Sequence, residues 1–295
     1  MAVYRRIYRP YSGRFTNENF RFLVLTRYGL KTLFDSRPLL AFFVACNIPS
    51  LLFVLAIYVS HSAAAQALLN MKGAILNVDN FFFMRYLLFQ ATLSFLIGAW
   101  VGPGLVSADL SNDALPLYFA RPFSRTEYVL GKFSVIAVIL SSITWVPGLI
   151  IFGLQANLAG WEWFSKFYWI AGSIFIGSWL WIALLALLAL ALSAWVKWKI
   201  ASTTLMLGVF FALAAFGEAV NEVLRTSWGK LFNLGYLISV VWLDLFRVEQ
   251  FRERINVRGS FVELPAWAAW IALLGLTAFC LLMLNRKLKA REVVR

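Results

Sequence analysis

The sequence predicts an all-α, polytopic membrane protein: six transmembrane helices, an N-terminal interfacial amphipathic helix, and a short cytoplasmic helix between the second and third spans. Three observations carry that expectation. Hydrophobic residues make up 61% of the 295 and charged residues only 14%, with a mean hydropathy of +0.76, too apolar for a globule surrounded by water. The apolar residues gather in runs of about twenty, the length needed to cross the ~30 Å hydrocarbon core of a bilayer. The lysines and arginines lie between those runs and at the two ends of the chain. The net charge of +13 therefore reads as membrane topology and not as a nucleic-acid surface.

Residues 1–37 form the first segment, expected in the cytoplasm. It holds Arg5, Arg6, Arg9, Arg14, Arg21, Arg27, Lys31 and Arg37 against Glu18 and Asp35. No early apolar run with a small-residue cleavage site is present, so a cleaved signal peptide is not expected. On a helical projection of Phe20 to Phe34, Arg21, Arg27, Tyr28 and Lys31 share a narrow side. Phe22, Leu23, Leu25, Leu30, Leu33 and Phe34 cover the rest, with Phe20 and Val24 interrupting the polar stripe. Such a helix either lies in the membrane surface with its cations at anionic headgroups or packs on the protein itself.

The membrane domain is expected over 38–284, with spans at about 38–60, 81–106, 128–156, 167–195, 200–217 and 265–284. Pro49, Pro103 and Pro147 fall inside or near the ends of spans, where proline frees a carbonyl and kinks the helix. An apolar piece at 231–246 is interrupted by Asn233, Gly235 and Asp244, too short for a clean span and suited to a re-entrant or interfacial helix. Residues 285–295 are a basic tail. The connections rich in Lys and Arg alternate with poor ones, so the positive-inside rule puts both termini and the central segment in the cytoplasm and His61 to Asn80 outside. The expected location is the cytoplasmic membrane of a prokaryote.

The central segment, 107–132, is the one compact polar stretch between two long runs. Asp113 is placed to cap a short helix from Ala114, Pro116 is tolerable in that helix's first turn, and Pro122 ends it. Ser124 followed by Glu127 is a capping box for the next helix. Asp109, Ala114-Leu115, Arg121-Pro122-Phe123-Ser124-Arg125, Tyr128 and Gly131-Lys132 resemble the signature between the second and third membrane helices of ABC-transporter permeases of the type-2 exporter class. The Pro-x-Ser-Arg and Gly-Lys half matches well. In the first half Asp113 and Ala114 replace the Gly-Thr of the pattern, and Pro116 is unusual. The resemblance implies a permease subunit of an ATP-driven exporter, working as a homo- or heterodimer with two separate P-loop ATPase subunits docked below. It makes 114–120 the coupling helix and Asp109, Leu115, Leu117, Tyr118, Phe119, Arg121, Pro122, Ser124 and Arg125 the coupling residues. The substrate, and any residue binding it, stay open.

Other chemistry is sparse. The single histidine, His61, sits at the end of a span, and Cys46 and Cys280 both fall inside spans, where a thiol acts as a small apolar group. No serine-hydrolase, zinc-protease or Cys-x-x-Cys pattern occurs, and no cofactor or metal is implied. Gly131-Lys132 and Gly229-Lys230 lack the upstream glycine and the following Ser or Thr of a P-loop, so ATP hydrolysis has to come from another chain. The span interiors carry Asn47, Gln90, Thr92, Ser94, Ser141, Ser142, Thr144, Thr203 and Thr204, groups that commonly join helices, and lack the buried ionisable groups an ion pathway needs. The main alternative is a membrane-embedded enzyme of lipid metabolism using Asp109 and Asp113 as paired acids on one helix face. A structural or regulatory membrane protein is the third possibility.

Overall fold

A computed structural model describes residues 20–68, 77–119, 123–248 and 264–287. Those residues are all-helical, and six of the helical stretches are long and apolar enough to cross a membrane. Helix α1 (Phe22–Phe34) precedes the first span, which is divided into α2 (Arg37–Cys46) and α3 (Ile48–His61). Pro38 and Pro49 each stand in the opening turn of their helix, where the missing N–H costs nothing. At the joint, the Asn47 N–H turns to the Val44 carbonyl (3.0 Å) and its side-chain amide donates to the Phe43 carbonyl (3.0 Å). Pro49 thus separates two helices instead of bending one. A short α4 (Ala63–Leu68) follows.

The second span is α5 (Asn80–Ser111), 32 residues long, opened by an Asp79 cap on the Phe82 N–H and continuous through Pro103. After α6 (Leu115–Phe119) comes a third span broken at Thr144 into α7 (Arg125–Ile143) and α8 (Trp145–Ala159). Pro147 cannot donate to the Ile143 carbonyl, and the Tyr86 hydroxyl of α5 does so in its place, reaching the Ile143 and Thr144 oxygens at 3.2 and 2.8 Å. Gln90 donates to Ser50 (2.6 Å), and Ser50 lies 3.4 Å from Tyr86. The joints of the first and third spans are thereby tied to one polar patch on α5.

Gly160, at φ +85°, turns the chain into α9 (Trp161–Phe167), which leads to α10 (Trp169–Trp195) and α11 (Lys199–Leu224). Helices α5 and α10 form the centre. A Cβ on Gly102 would stand 2.5 Å from that of Ala189, so this glycine sets their closest approach. Trp181 donates to Ser94 across the same contact (2.8 Å). Of the polar span residues, Gln90 and Ser94 join helices, whereas Asn47, Thr92, Ser142 and Thr203 bond to carbonyls of their own helix.

Beyond α11 the chain folds back on it. Gly217 and the Gly229 carbonyl touch so closely that a side chain on either would collide with the other's oxygen. A 3₁₀ turn (Trp228–Phe232) leads to α12 (Leu234–Leu245), which follows α10 toward the beginnings of α5 and α10. Trp242 donates to the Gly177 carbonyl (3.1 Å), Ser173 to Leu245 (2.8 Å) and Asn80 to Phe246 (2.8 Å). The 12 residues of α12 leave it well short of the six spans. The last helix, α13 (Ala266–Lys287), packs against α10 and α12.

Candidate functional site

The site lies at the end of the bundle that gathers the cations: Lys132 meets Asp109, Lys199 passes Gly104, and Lys287 covers Trp195 at 4.8 Å. Here α5 ends in a left-handed closing turn. Asp113 has φ +49°, and the Ala114 N–H reaches back to the Asp109 carbonyl at 2.9 Å, the six-to-one bond of a Schellman close. The expectation that Asp113 caps the short helix is therefore corrected. An N-cap needs extended backbone, and Asp113 instead finishes α5, a left-handed position that Asp tolerates better than most residues.

Helix α6 begins one residue later than expected, at Leu115, and its first turn is closed by the Leu117 and Tyr118 N–H groups on the Ala114 carbonyl (3.1 and 3.2 Å). The next helix, α7, opens with the capping box the sequence announces. Ser124 Oγ accepts from the Glu127 N–H at 3.2 Å, and Glu127 Oε2 accepts from the Ser124 N–H at 2.6 Å.

Helices α5 and α7 are joined through Asp109. Its Oδ2 accepts from the Tyr128 hydroxyl at 2.7 Å and pairs with Lys132 Nζ at 2.7 Å, with the pair 15% and 13% exposed. Tyr128 is fully buried, Lys132 Nζ lies 5.6 Å from its ring centre, and the Tyr118 ring of α6 packs on it at 5.5 Å. Partial burial, and then the Asp109 carboxylate, raise the Tyr118 hydroxyl above its ordinary pKa, so it stays neutral and a donor. Helix α1 lies on the same stretch of α7. Thr26 donates to the Gly131 carbonyl (3.2 Å), and a Cβ on Gly131 would meet Leu25 at 2.8 Å. Helix α1 therefore packs on α7 along Leu25 and Thr26, and Phe20, Leu23, Val24, Arg27, Tyr28 and Lys31 are left exposed.

The expected coupling residues divide into three groups. Asp109, Leu115 and Tyr118 face the protein, with Leu115 and Tyr118 half-buried against the core. Leu117, 71% exposed, points away from it, as do Ser124 and Arg125. Phe119 is the last residue of α6, and Arg121 and Pro122 lie outside the described residues. Tyr128 and Lys132 are partners that reasoning from the sequence left out of the site. The signal was available, because residues four apart share a helix face and a nearly apolar helix end leaves Asp109 needing a cation.

No family model and no curated protein matches the chain.

The paired-acid alternative needs Asp109 and Asp113 on one continuous helix. The helix ends at Ser111 between them, Asp109 is engaged by Lys132 and Tyr128, and Asp113 is exposed. Among the described residues no three of His, Cys, Asp and Glu converge on a common point. What the arrangement offers is a short helix packed on α7 through Tyr118, with one large apolar side chain, Leu117, directed outward.

Proposed function

We propose that the chain is the membrane-spanning permease subunit of an ATP-binding-cassette exporter, with α6 as the coupling helix that docks on a separate P-loop ATPase. Two permease copies and two ATPase subunits form the complete transporter, in the cytoplasmic membrane of a prokaryote with both termini in the cytoplasm. The observation that carries this reading is the construction of α6. A five-residue helix is too short to hold itself, yet Tyr118 packs on Tyr128 of α7 and the closing bond from Ala114 to Asp109 ties the start of α6 to the end of α5, while Leu117 stays outside. Movement of α6 by a bound partner would pass directly into α5 and α7. Helix α1, clipped to α7 at Gly131, would lie at the headgroup layer with its exposed Arg27 and Lys31 toward anionic lipid.

The test uses Leu117→Asp. An interface concentrates its energy in a few large side chains, so the variant should lose at least tenfold of the ATPase that accompanies the tagged chain in mild detergent. Its melting temperature should match the parent's, because Leu117 touches little of its own chain. Undiminished ATPase retention by Leu117→Asp would refute α6 as the docking element.

A further inference from the structure

Helix α5 is mostly buried, but Arg85, Phe89, Thr92, Leu96 and Trp100 remain exposed. Their spacing of four, three, four and four residues makes one straight stripe, about 22 Å long at 1.5 Å per residue. The stripe is the floor of a groove. On one side the first span flanks it through Phe53 on Phe89 (6.2 Å) and Phe42 on Trp100 (5.8 Å). On the other side α11 flanks it through Phe210 and Phe211 on Phe95 (4.4 and 6.0 Å).

The wall formed by α11 carries charge. Phe211, Ala215, Glu218 and Glu222 follow one another at four, three and four residues, so both carboxylates share the face of Phe211 that looks toward α5. The two helices are antiparallel, with Gly104 beside Lys199 and Phe95 beside Phe210. Counting ten residues back from Phe95 and ten on from Phe210 puts Arg85 level with Val220, between Glu218 and Glu222. All three charged side chains are exposed, and among the described residues none has an ion-pair partner; Arg85 rests on the Phe81 ring at 5.6 Å. Unpaired charges on the outside of a span are costly and are normally paired or kept from lipid.

A two-fold axis parallel to the helices preserves height. A face with one cation and two carboxylates at one level on neighbouring helices is then self-complementary, since each copy's Arg85 can meet the other's Glu218 or Glu222. The first span and α11, which flank the groove, are also the least buried of the six, each with 17% of its span window covered. We propose that this groove is the interface of a homodimer, closed at the charged end by reciprocal Arg85 to Glu218 and Glu222 pairs. This deepens the two-copy arrangement above by choosing identical copies and naming the face.

The test mixes two differently tagged full-length chains with Cys46 and Cys280 replaced by Ala. One carries Phe89→Cys and the other Ala215→Cys, which lie at one level and leave the charges intact. A mixed-tag crosslinked dimer should form at least tenfold more than between Leu282→Cys chains, whose α13 face is exposed elsewhere. Arg85→Glu should cut the dimer fraction about tenfold, and adding Glu218→Arg with Glu222→Arg should restore it. Crosslinking no greater than at Leu282, or labelling of the Phe89→Cys thiol by a thiol-reactive phospholipid in place of dimer, would overturn the proposal. The readout involves no ATPase, so its failure is separable from failure of the transporter reading.

Discussion

Removing the Lys132 charge should destabilise the protein through Asp109 and not through lost packing. At 2.7 Å separation and an effective dielectric constant of about 20, the attraction is about 6 kcal/mol, offset in large part by the desolvation of both groups. Breaking such a pair from one side leaves an uncompensated charge and typically costs about 3–5 kcal/mol. Tyr128 still donates to Asp109 in Lys132→Met, so the lower end, about 3 kcal/mol, is expected. Neutralising both residues in Asp109→Asn with Lys132→Met should recover most of the loss, because the amide oxygen still accepts from Tyr128 and no charge is stranded. At about 2–4 °C per kcal/mol for a chain of this size, Lys132→Met should melt roughly 6–12 °C lower in detergent, and the double variant within a few degrees of the parent. Additive losses in the double variant would show that the two residues do not act as a pair and would remove the link between α5 and α7.

Tyr86→Phe should cost about 1–3 kcal/mol, the usual penalty for stranding buried acceptors, read as a lower melting temperature. Phe fills the same space, so an unchanged value would mean that the Ile143 and Thr144 carbonyls find other donors. Gly102→Ala should destabilise by about 1–3 kcal/mol because its Cβ would meet Ala189 at 2.5 Å in a packed contact, and Gly153→Ala, which meets nothing within 4 Å, should not; equal melting temperatures for the two would contradict the close α5–α10 crossing. A cysteine at Asn77 should react with a membrane-impermeant maleimide added outside cells and one at Ser111 should be spared. Both positions are exposed, so the reverse pattern would invert the orientation.

The sequence made the six apolar helices legible because a bilayer imposes a length and a composition that need no tertiary information. It also announced the Ser124 capping box, whose two bonds are local. What it hid depends on contacts between elements. Asp113 has the right chemistry for a helix cap, and only the closing bond from Ala114 to Asp109 reveals that the same residue finishes the preceding helix. Pro147 signals a disturbed span, but Tyr86, which supplies the missing donor, is about sixty residues away and invisible to any local pattern.

The same distinction explains the site. Leu115, Leu117 and Tyr118 read alike in the sequence as an apolar cluster outside the spans, and each has the size and chemistry of a docking anchor. In the fold, Tyr118 is committed to Tyr128, and Leu115 is half-buried against the core. A large side chain that anchors its own helix cannot also be a free anchor for a partner, so replacing Tyr118 would disturb stability and docking together. Leu117 is free of that conflict at 71% exposure. The division of labour along one helical turn, with Tyr118 holding inward on Tyr128 and Leu117 reaching outward, lets a helix of five residues be held against α7 while still presenting a large apolar side chain.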